Sequence, residues 1–458
     1  MDSSLNPGDA RSGSGAKAPL GAGRWEGHVE GFQDDEGAGR APGLAASAGA
    51  AGISGAPVSK AIEGAWPPPD GANRNAHRVS QPPPRENGPR ENGAREFGPR
   101  EFGTGSRYGS NDPVYGALDL GTNNCRLLLA RPSRRGFRVI DAFSRIIRLG
   151  EGVSQSGQLS DAAMQRTIDA LKICAGKLDR HQVQRAMLVA TEACRIASNG
   201  SEFLTRAREA TGLDIKILSR EGEARLAVSG CASLVDPNSD YAMVFDIGGG
   251  SSELIWLDLT RRRYRGGPHG DRLDVQSAVA AWTSLSVGVV TLAERFGGRQ
   301  VTRESFEAMV DYVVGLLAPF EDQHRFANRI AGRRAHMLGT SGTVTTVAGV
   351  HLGLERYDRN RVDGCWLETE EARRVTYSLL DRSYAERVAE PCIGRDRADL
   401  VLAGCAILEA LLRVWPCARL RVADRGLREG ILMQLMVEDG VYRAGRRRRR
   451  MRERPDFA

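Results

Sequence analysis

Two glycine-rich turns, each led by an aspartate, constrain the fold of this chain more than any other feature. They occupy residues 119–124 (DLGTNN) and 246–253 (DIGGGSSE). Short apolar runs typical of buried strands precede and follow each turn, so each segment predicts a β-hairpin. Glycine lets the backbone approach an anion, and successive N–H groups can then point into one concavity. Two such turns predict two related lobes that hold one phosphorylated ligand between them.

Strand-like and helical patterns alternate along residues 113–440, which indicates an α/β fold. Ser160 and Thr302 each precede a segment with apolar residues at helical spacing, so we expect them to cap helices. The apolar run 284–290 is predicted to be a strand. A third glycine turn, residues 339–343, joins a predicted strand to a helix. It would offer its amides to an anion, although a simple helix N-cap explains it nearly as well.

Composition separates a balanced body from two unusual ends. The chain has 458 residues, of which 41% are hydrophobic and 26% charged, as in a soluble enzyme. Residues 1–112 are rich in Gly, Ala and Pro and predict a disordered segment, with partner docking through Phe97 and Phe102 as the alternative. Residues 441–458 predict a second disordered tail. Residues 443–454 hold eight arginines and one glutamate, so their net charge of +7 equals that of the whole chain. Nucleic acid is therefore not an expected partner, except weakly through this tail.

The cysteines and the hydropathy pattern indicate a cytoplasmic protein. None of the eight cysteines forms a C-x-x-C pair or a zinc-spaced cluster with histidine, so a reducing compartment is expected. No apolar run reaches the length of about 18 residues that a membrane span needs. The first residues have neither the basic start nor the apolar core of a secretory signal.

Carboxylates stand at both ends of the second turn and suit a cation. Mg²⁺ prefers oxygen ligands and keeps several waters, so one or two carboxylates suffice to hold it. Asp246 and Glu253 can supply them, and Asp119 takes the equivalent place before the first turn. We therefore predict Mg²⁺ as the cofactor and these three residues as its ligands.

The group that activates a nucleophile is harder to identify. The chain has no G-x-S-x-G or H-E-x-x-H motif, and its seven histidines do not cluster, which leaves a carboxylate base as the simplest candidate. Glu221 and Glu223 lie where a predicted strand gives way to a helix, a place where the helix macrodipole alone also favours acids. Arg195 follows another strand and either reaches a phosphate or is a surface arginine.

Six motifs taken together resemble the exopolyphosphatase/guanosine-pentaphosphate phosphatase family. The resemblance covers about residues 114–440 and matches the short members of the family. It implies membership of the actin–sugar-kinase–chaperone ATPase superfamily. Two ribonuclease-H-like lobes, residues 113–226 and 227–440, would then flank a cleft, with the last helix packing on the first lobe. The motifs occupy residues 119–126, 191–195, 223–226, 246–254, 339–343 and 426–430.

The resemblance also implies roles for individual residues. Glu223 matches the family's catalytic glutamate, which deprotonates the attacking water, and Asp246 and Glu253 match acids tied to Mg²⁺. Two departures stand out: Asn124 replaces a frequent hydroxyl residue, and the stretch 261–281 is longer than the usual hairpin loop, for no evident purpose. The predicted phosphate-binding residues are Gly121, Thr122, Asn123, Asn124, Arg195, Gly248, Gly249, Gly250, Ser251, Gly339, Ser341, Gly342 and Thr343.

The implied function is a phosphoanhydride hydrolase. It would release terminal orthophosphate from inorganic polyphosphate or from guanosine pentaphosphate, and the sequence does not choose between these substrates. A homodimer is expected. The alternative from a different functional class is a non-catalytic nucleotide or alarmone sensor of the same fold.

Overall fold

Two mixed β-sheets carry the fold, one in each half of the described chain. The structure is a computed structural model that describes residues 112–133, 136–261, 264–267 and 270–441. These residues all belong to one compact unit. The predictions for residues 1–111, including docking through Phe97 and Phe102, lie outside the described residues, as do those for the arginine-rich tail beyond residue 441.

The first sheet has the order β3-β2-β1-β4-β5. β1 pairs antiparallel with β2 and parallel with β4, so a hairpin leads into a parallel crossover. Its strands are β1 (Tyr115–Leu120), β2 (Asn124–Ser133), β3 (Gly136–Ile146), β4 (Arg185–Ala190) and β5 (Lys216–Ile217).

The second sheet has the order β10-β7-β6-β11-β13-β12 and repeats the same plan. β6 pairs antiparallel with β7 and parallel with β11. A separate hairpin, β8 (Tyr264–Gly267) and β9 (Gly270–Leu273), lies in the long stretch 261–281. The strands of the main sheet are β6 (Tyr241–Ile247), β7 (Ser252–Asp258), β10 (Val279–Leu285), β11 (Ala335–Gly339), β12 (Trp366–Glu368) and β13 (Arg419–Val422).

Helices cover both sheets, and the side chains of Ser160 and Thr302 cap two of the longest, as predicted. No helix in the described ranges has the length and apolar character that a membrane crossing requires. The helices are α1 (Val153–Ser156), α2 (Asp161–Arg180), α3 (Glu192–Ile196), α4 (Gly200–Thr211), α5 (Arg220–Cys231), α6 (Val289–Phe296), α7 (Arg303–His324), α8 (Phe326–Ile330), α9 (Gly342–His351), α10 (Arg359–Val362), α11 (Thr369–Asp381), α12 (Tyr384–Ala389), α13 (Val401–Val414) and α14 (Leu427–Glu438).

Alternation along the strands gives each sheet two apolar faces. In β1, Leu118 and Leu120 face the core shared with α2, whereas Tyr115 and Ala117 belong to the cluster that contains α14. In β6 the residues at odd positions face the core with α7 and α13, and those at even positions face α5. Each sheet therefore turns one face toward the layer formed by α5 and α14.

Helices α5 and α14 form a tightly packed pair between the two sheets. Leu226 of α5 lies in the cluster of the first sheet, and Val228 lies in that of the second. A Cβ atom added at Gly230 would lie 1.9 Å from the carbonyl oxygen of Gly426, and one at Gly430 would lie 2.0 Å from the carbonyl oxygen of Leu226. Only glycine permits this approach of the two helix backbones.

The predicted α/β fold with two lobes is confirmed, but the strand predicted for residues 284–290 is wrong. The strand β10 covers Val279–Leu285, and the apolar residues that follow begin α6 at Val289. The N–H of Gly288 donates to the hydroxyl of Thr291 at 2.9 Å, which starts the helix. A short apolar run with β-branched residues fits a strand or a buried helix start equally well, and this cap decides for the helix.

Candidate active site

The two glycine turns form loops of the same geometry at equivalent places in the two sheets. In the first glycine loop (residues 121–124) the N–H of Gly121 donates to the carbonyl oxygen of Asn124 at 2.9 Å. In the second glycine loop (residues 248–251) the N–H of Gly248 donates to the carbonyl oxygen of Ser251, also at 2.9 Å. Each loop joins the first two strands of its sheet, so the structure repeats one turn in both lobes.

These loops meet across the cleft between the lobes. A Cβ atom added at Gly249 would lie 2.9 Å from Cβ of Thr122, and one at Gly250 would lie 2.9 Å from Oγ1 of Thr122. Thr122 and Asn123 are buried at this contact. The structure thus brings together the predicted phosphate-binding residues of both loops.

The predicted metal-binding carboxylates occupy matched positions on the two hairpins. Asp246 lies opposite Glu253 in the β6–β7 pair, whereas Asp119 lies opposite Arg126 in the β1–β2 pair. Directly opposed residues of an antiparallel pair share one face of the sheet, so Asp246 and Glu253 are close like charges. By the alternation along the strands, all four residues face the layer of α5 and α14.

Burial and mutual repulsion disfavour charge on these acids. Glu253 is 1% exposed, and burial together with the charge of Asp246 raises its pKa to about 7, although the hydroxyls of Ser251 and Ser284 donate to Oε1. Burial raises the pKa of Asp246 to about 6, with a further contribution from Asp119. Burial also raises the pKa of Asp119, against the charges of Arg126 and Arg428.

These carboxylates suit a cation that takes only some of its ligands from the protein. A divalent ion would offset the repulsion that raises these pKa values, and Mg²⁺ commonly takes its remaining ligands from water and substrate phosphates. Within the described ranges, no three His, Cys, Asp or Glu side chains are grouped to enclose a metal ion by themselves. Oδ1 of Asn123 is a buried acceptor that has no hydrogen-bond donor among the described residues. Asp119, Asp246 and Glu253 stay the predicted ligands.

Glu223 lies in the first turn of α5, whose N-terminus is capped by the side chain of Ser219. Its residue is 9% exposed, and its Oε2 accepts from Nη2 of Arg195 at 2.7 Å. Burial and the charge of Glu253 raise the pKa of Glu223 well above its ordinary value, and the bond from Arg195 opposes this rise. Asp119 also acts on Glu223 electrostatically, so the predicted base lies near the acids of both hairpins.

Arg195 is engaged with protein groups through all three guanidinium nitrogens. Besides the bond to Glu223, Nε and Nη2 donate to the carbonyl oxygen of Leu218 at 3.1 and 2.8 Å, and Nη1 donates to Glu192. In this position Arg195 fixes the carboxylate of Glu223. These bonds use four of its five N–H groups, so one N–H of Nη1 is left for the phosphate contact predicted from the sequence.

The third glycine turn supplies the N-cap of α9 and an open stretch of backbone. Oγ of Ser341 accepts from the N–H of Val344 at 3.3 Å, so this hydroxyl caps α9. Thr343 packs against Gly404 of α13, where an added Cβ would lie 2.2 Å from its Oγ1. A Cβ atom added at Gly339 would lie 2.6 Å from Cγ2 of Val344 and 2.7 Å from the ring of Phe245. The side chains of Ser341 and Thr343 therefore have structural partners, and the open backbone at Gly342 is what this turn offers a ligand.

Several charged residues of the cleft were not singled out from the sequence. Arg126 and Arg428 act on Asp119, and Glu192 and Arg220 line the cleft beside the second glycine loop. Arg126 could have been found, because the hairpin register places it opposite Asp119. The others depend on contacts between elements far apart in the sequence.

Contacts between the lobes lie beside the cleft. Arg148 pairs with Asp399 at 3.0 Å, and Glu294 accepts from the N–H of Gly152 at 2.8 Å and from Ser154. A cavity of about 380 Å³ beside the second glycine loop is lined by both lobes. It is large enough to hold part of a phosphorylated ligand.

Comparisons with known proteins identify a family model and a curated relative that match this chain. A model of the Ppx/GppA phosphatase family matches residues 129–438. A guanosine-5'-triphosphate,3'-diphosphate pyrophosphatase of Photobacterium profundum is 27% identical over 327 residues, which are 71% of this chain and 59% of the relative. The chain thus spans about 59% of the length of that curated relative.

Solved structures show the same fold. The crystal structure of the Ppx/GppA family member from Aquifex aeolicus is 27% identical, with a TM-score of 0.57 over 71% of this chain and 98% of that chain. An exopolyphosphatase from Cytophaga hutchinsonii is 24% identical, with a TM-score of 0.61 over 71% of this chain and 98% of that chain. The likeness therefore extends over nearly the whole of both solved chains.

Proposed function

This chain belongs to the Ppx/GppA phosphatase family, and from that premise we propose that it is a phosphoanhydride hydrolase. It releases terminal orthophosphate from inorganic polyphosphate or guanosine pentaphosphate. Glu223 acts as the general base. The observation that carries the proposal is the position of this buried carboxylate, which Arg195 holds at 2.7 Å near the acids of both glycine hairpins.

The cleft suits transfer of a phosphoryl group to water. Hydrolysis of a phosphoanhydride proceeds through a loose transition state with charge spread over the equatorial oxygens. Backbone amides of the two glycine loops can donate to these oxygens without reorganising. The raised pKa of Glu223 brings the base closer to neutral pH, where a general base is most effective.

Asp119, Asp246 and Glu253 would hold Mg²⁺. When bound, the ion supplies charge neutralisation on the phosphoryl oxygens. The chain's own part is to hold these carboxylates beside the loops, with Ser251 and Ser284 fixing Glu253 at 2.8 and 2.9 Å.

The test is phosphate release from polyphosphate and from guanosine pentaphosphate, each measured with Mg²⁺ and with excess chelator. We expect orthophosphate from at least one substrate, and only with the metal present. Binding of guanosine pentaphosphate without release of phosphate from either substrate would instead support the non-catalytic sensor. The relative rates on the two substrates decide which one this chain prefers.

The assembly and the cellular location stay predictions. We propose a homodimer in the cytoplasm, and light scattering coupled to size-exclusion chromatography measures the assembly directly. A monomer at micromolar concentration would contradict the first part.

A further inference from the structure

Glu192 is a buried carboxylate that serves two arginines. Its side chain is 3% exposed, and it is held by Arg195 on one side and Arg220 on the other. Nη2 of Arg220 donates to Oε1 at 2.6 Å and Nε donates to Oε2 at 3.3 Å, a two-pronged contact that fixes the plane of the guanidinium. One acid thus sets the orientation of two cations, one in the last turn of α3 and one at the start of α5.

The two arginines differ in exposure and in how many of their guanidinium nitrogens already donate to protein groups. Arg195 uses all three nitrogens on Glu192, Glu223 and the carbonyl oxygen of Leu218. Among the described residues, Arg220 has no hydrogen-bond partner but Glu192, and its Nη1 has no acceptor. Its side chain is 37% exposed, compared with 16% for Arg195. Arg220 is therefore the more exposed arginine of this pair and the one with more N–H groups left for an anionic ligand.

Arg220 also lies where such a ligand would pass. It lines the cavity of about 380 Å³ together with Gly250 of the second glycine loop and Glu192. The stem of Glu192 lies against that loop, because a Cβ at Gly250 would be 3.1 Å from its Cγ. The charges of Glu253 and Glu223 both act on Arg220, which places it within electrostatic reach of the reacting groups.

The opposite wall of the cavity carries a second cation. Arg295 of α6 lines it, with its guanidinium 4.4 Å from the ring centroid of Tyr312. The acids in the lining, Glu192 and Glu294, already accept hydrogen bonds from protein donors. The cavity therefore presents available positive charge from both lobes beside a phosphate-sized loop.

We propose that Arg220, positioned by Glu192, binds phosphate oxygens of the substrate in this cavity, behind the phosphoryl group that is attacked. The proposal rests on the proposed hydrolase function. Its ligand class is a linear phosphoanhydride chain of at least three phosphates. Glu192 is a positioning residue: it aims Arg220 at the substrate and, through Arg195, holds Glu223.

The test uses Arg220→Gln, Arg220→Lys and Glu192→Gln in the full chain, with tripolyphosphate as the probe. Arg225→Gln is the matched control, because Arg225 lies on the same helix, is 60% exposed and pairs with Glu221 and Gln276. Loss of a charged hydrogen bond predicts that Arg220→Gln raises KM about tenfold, while kcat changes by less than about threefold. Arg220→Lys recovers part of the affinity, since it keeps the charge but loses the fork. Glu192→Gln raises KM and lowers kcat together.

A binding measurement separates this proposal from the proposed function. The dissociation constant of tripolyphosphate is measured by calorimetry with Glu223→Gln as the background, where no turnover is needed. Weaker binding on adding Arg220→Gln but not Arg225→Gln supports the proposal, even if the wild-type chain releases no phosphate. Equal binding by the two double variants would overturn it, whatever the activity of the wild type.

Discussion

Glu253→Gln gives an unusual prediction, because the substitution should stabilise the metal-free protein while removing activity. Glu253 is 1% exposed and lies opposite Asp246, so its ionised form is buried beside a like charge, and no cation among the described residues forms an ion pair with it. Glutamine keeps the shape and can still accept from the hydroxyls of Ser251 and Ser284 through its Oε1. The variant therefore removes the buried charge with little loss of packing.

The magnitude follows from the pKa of Glu253, which is raised from 4.5 to about 7. The folded state binds the proton more tightly than the unfolded state, so this residue supports the fold fully only below about pH 4.5. Its contribution falls as the pH rises through 7, by about 3 kcal/mol in total. Glutamine does not titrate, so the variant should exceed the wild type by up to about 3 kcal/mol at pH 8 and match it near pH 4.5.

The assay is urea unfolding in chelator at about pH 5 and pH 8. The fluorescence of Trp256 and Trp415, which are buried beside each other, reports the second lobe. Glu355→Gln is the control, because Glu355 is exposed on a loop of the same lobe. Mg²⁺ should then stabilise the wild type but not Glu253→Gln, since a ligand stabilises only the state that binds it. An equal loss of stability at both pH values for Glu253→Gln would refute the reasoning.

Three further predictions concern the helix pair, a glycine inside α7 and a buried histidine. Gly230→Ala should destabilise the protein by about 2 kcal/mol or more in a thermal scan, because its Cβ would meet the carbonyl oxygen of Gly426 at 1.9 Å; an unchanged melting temperature would contradict this. Gly315→Ala should stabilise by about 1 kcal/mol in the same scan, since nothing lies within 4 Å of the added Cβ in the middle of α7. His336 is buried with its pKa lowered to about 4, so stability should be lost as the pH falls from 6.5 through 4, by about 3 kcal/mol. His336→Gln should show a shallower loss in urea titrations over that range, and an identical slope would rule out this histidine as the cause.

The repeated hairpins were predictable because strand length, glycine spacing and apolar runs are all local signals. The same hairpin register places Asp246 opposite Glu253, so their proximity follows from the sequence once the turn is accepted. The helix at Val289 was missed because a short run of valines fits two structures, and the cap from Thr291 decides between them.

The charge pairs of the cleft could not be predicted in this way. Glu192 meets Arg220 only after β4 and β5 pair and bring α3 beside α5. The same packing brings Arg195 onto Glu223. Such contacts depend on side-chain directions set by tertiary packing, which the spacing of residues along the chain does not contain.

The central claim is that one carboxylate activates water in the cleft, and Glu223→Gln tests it most directly. Single-turnover phosphate release from tripolyphosphate, with enzyme in excess and Mg²⁺ present, measures the chemical step alone. We expect the rate to fall about 10²–10⁴-fold while the dissociation constant of tripolyphosphate stays within about threefold of wild type. Wild-type release by Glu223→Gln would contradict the account.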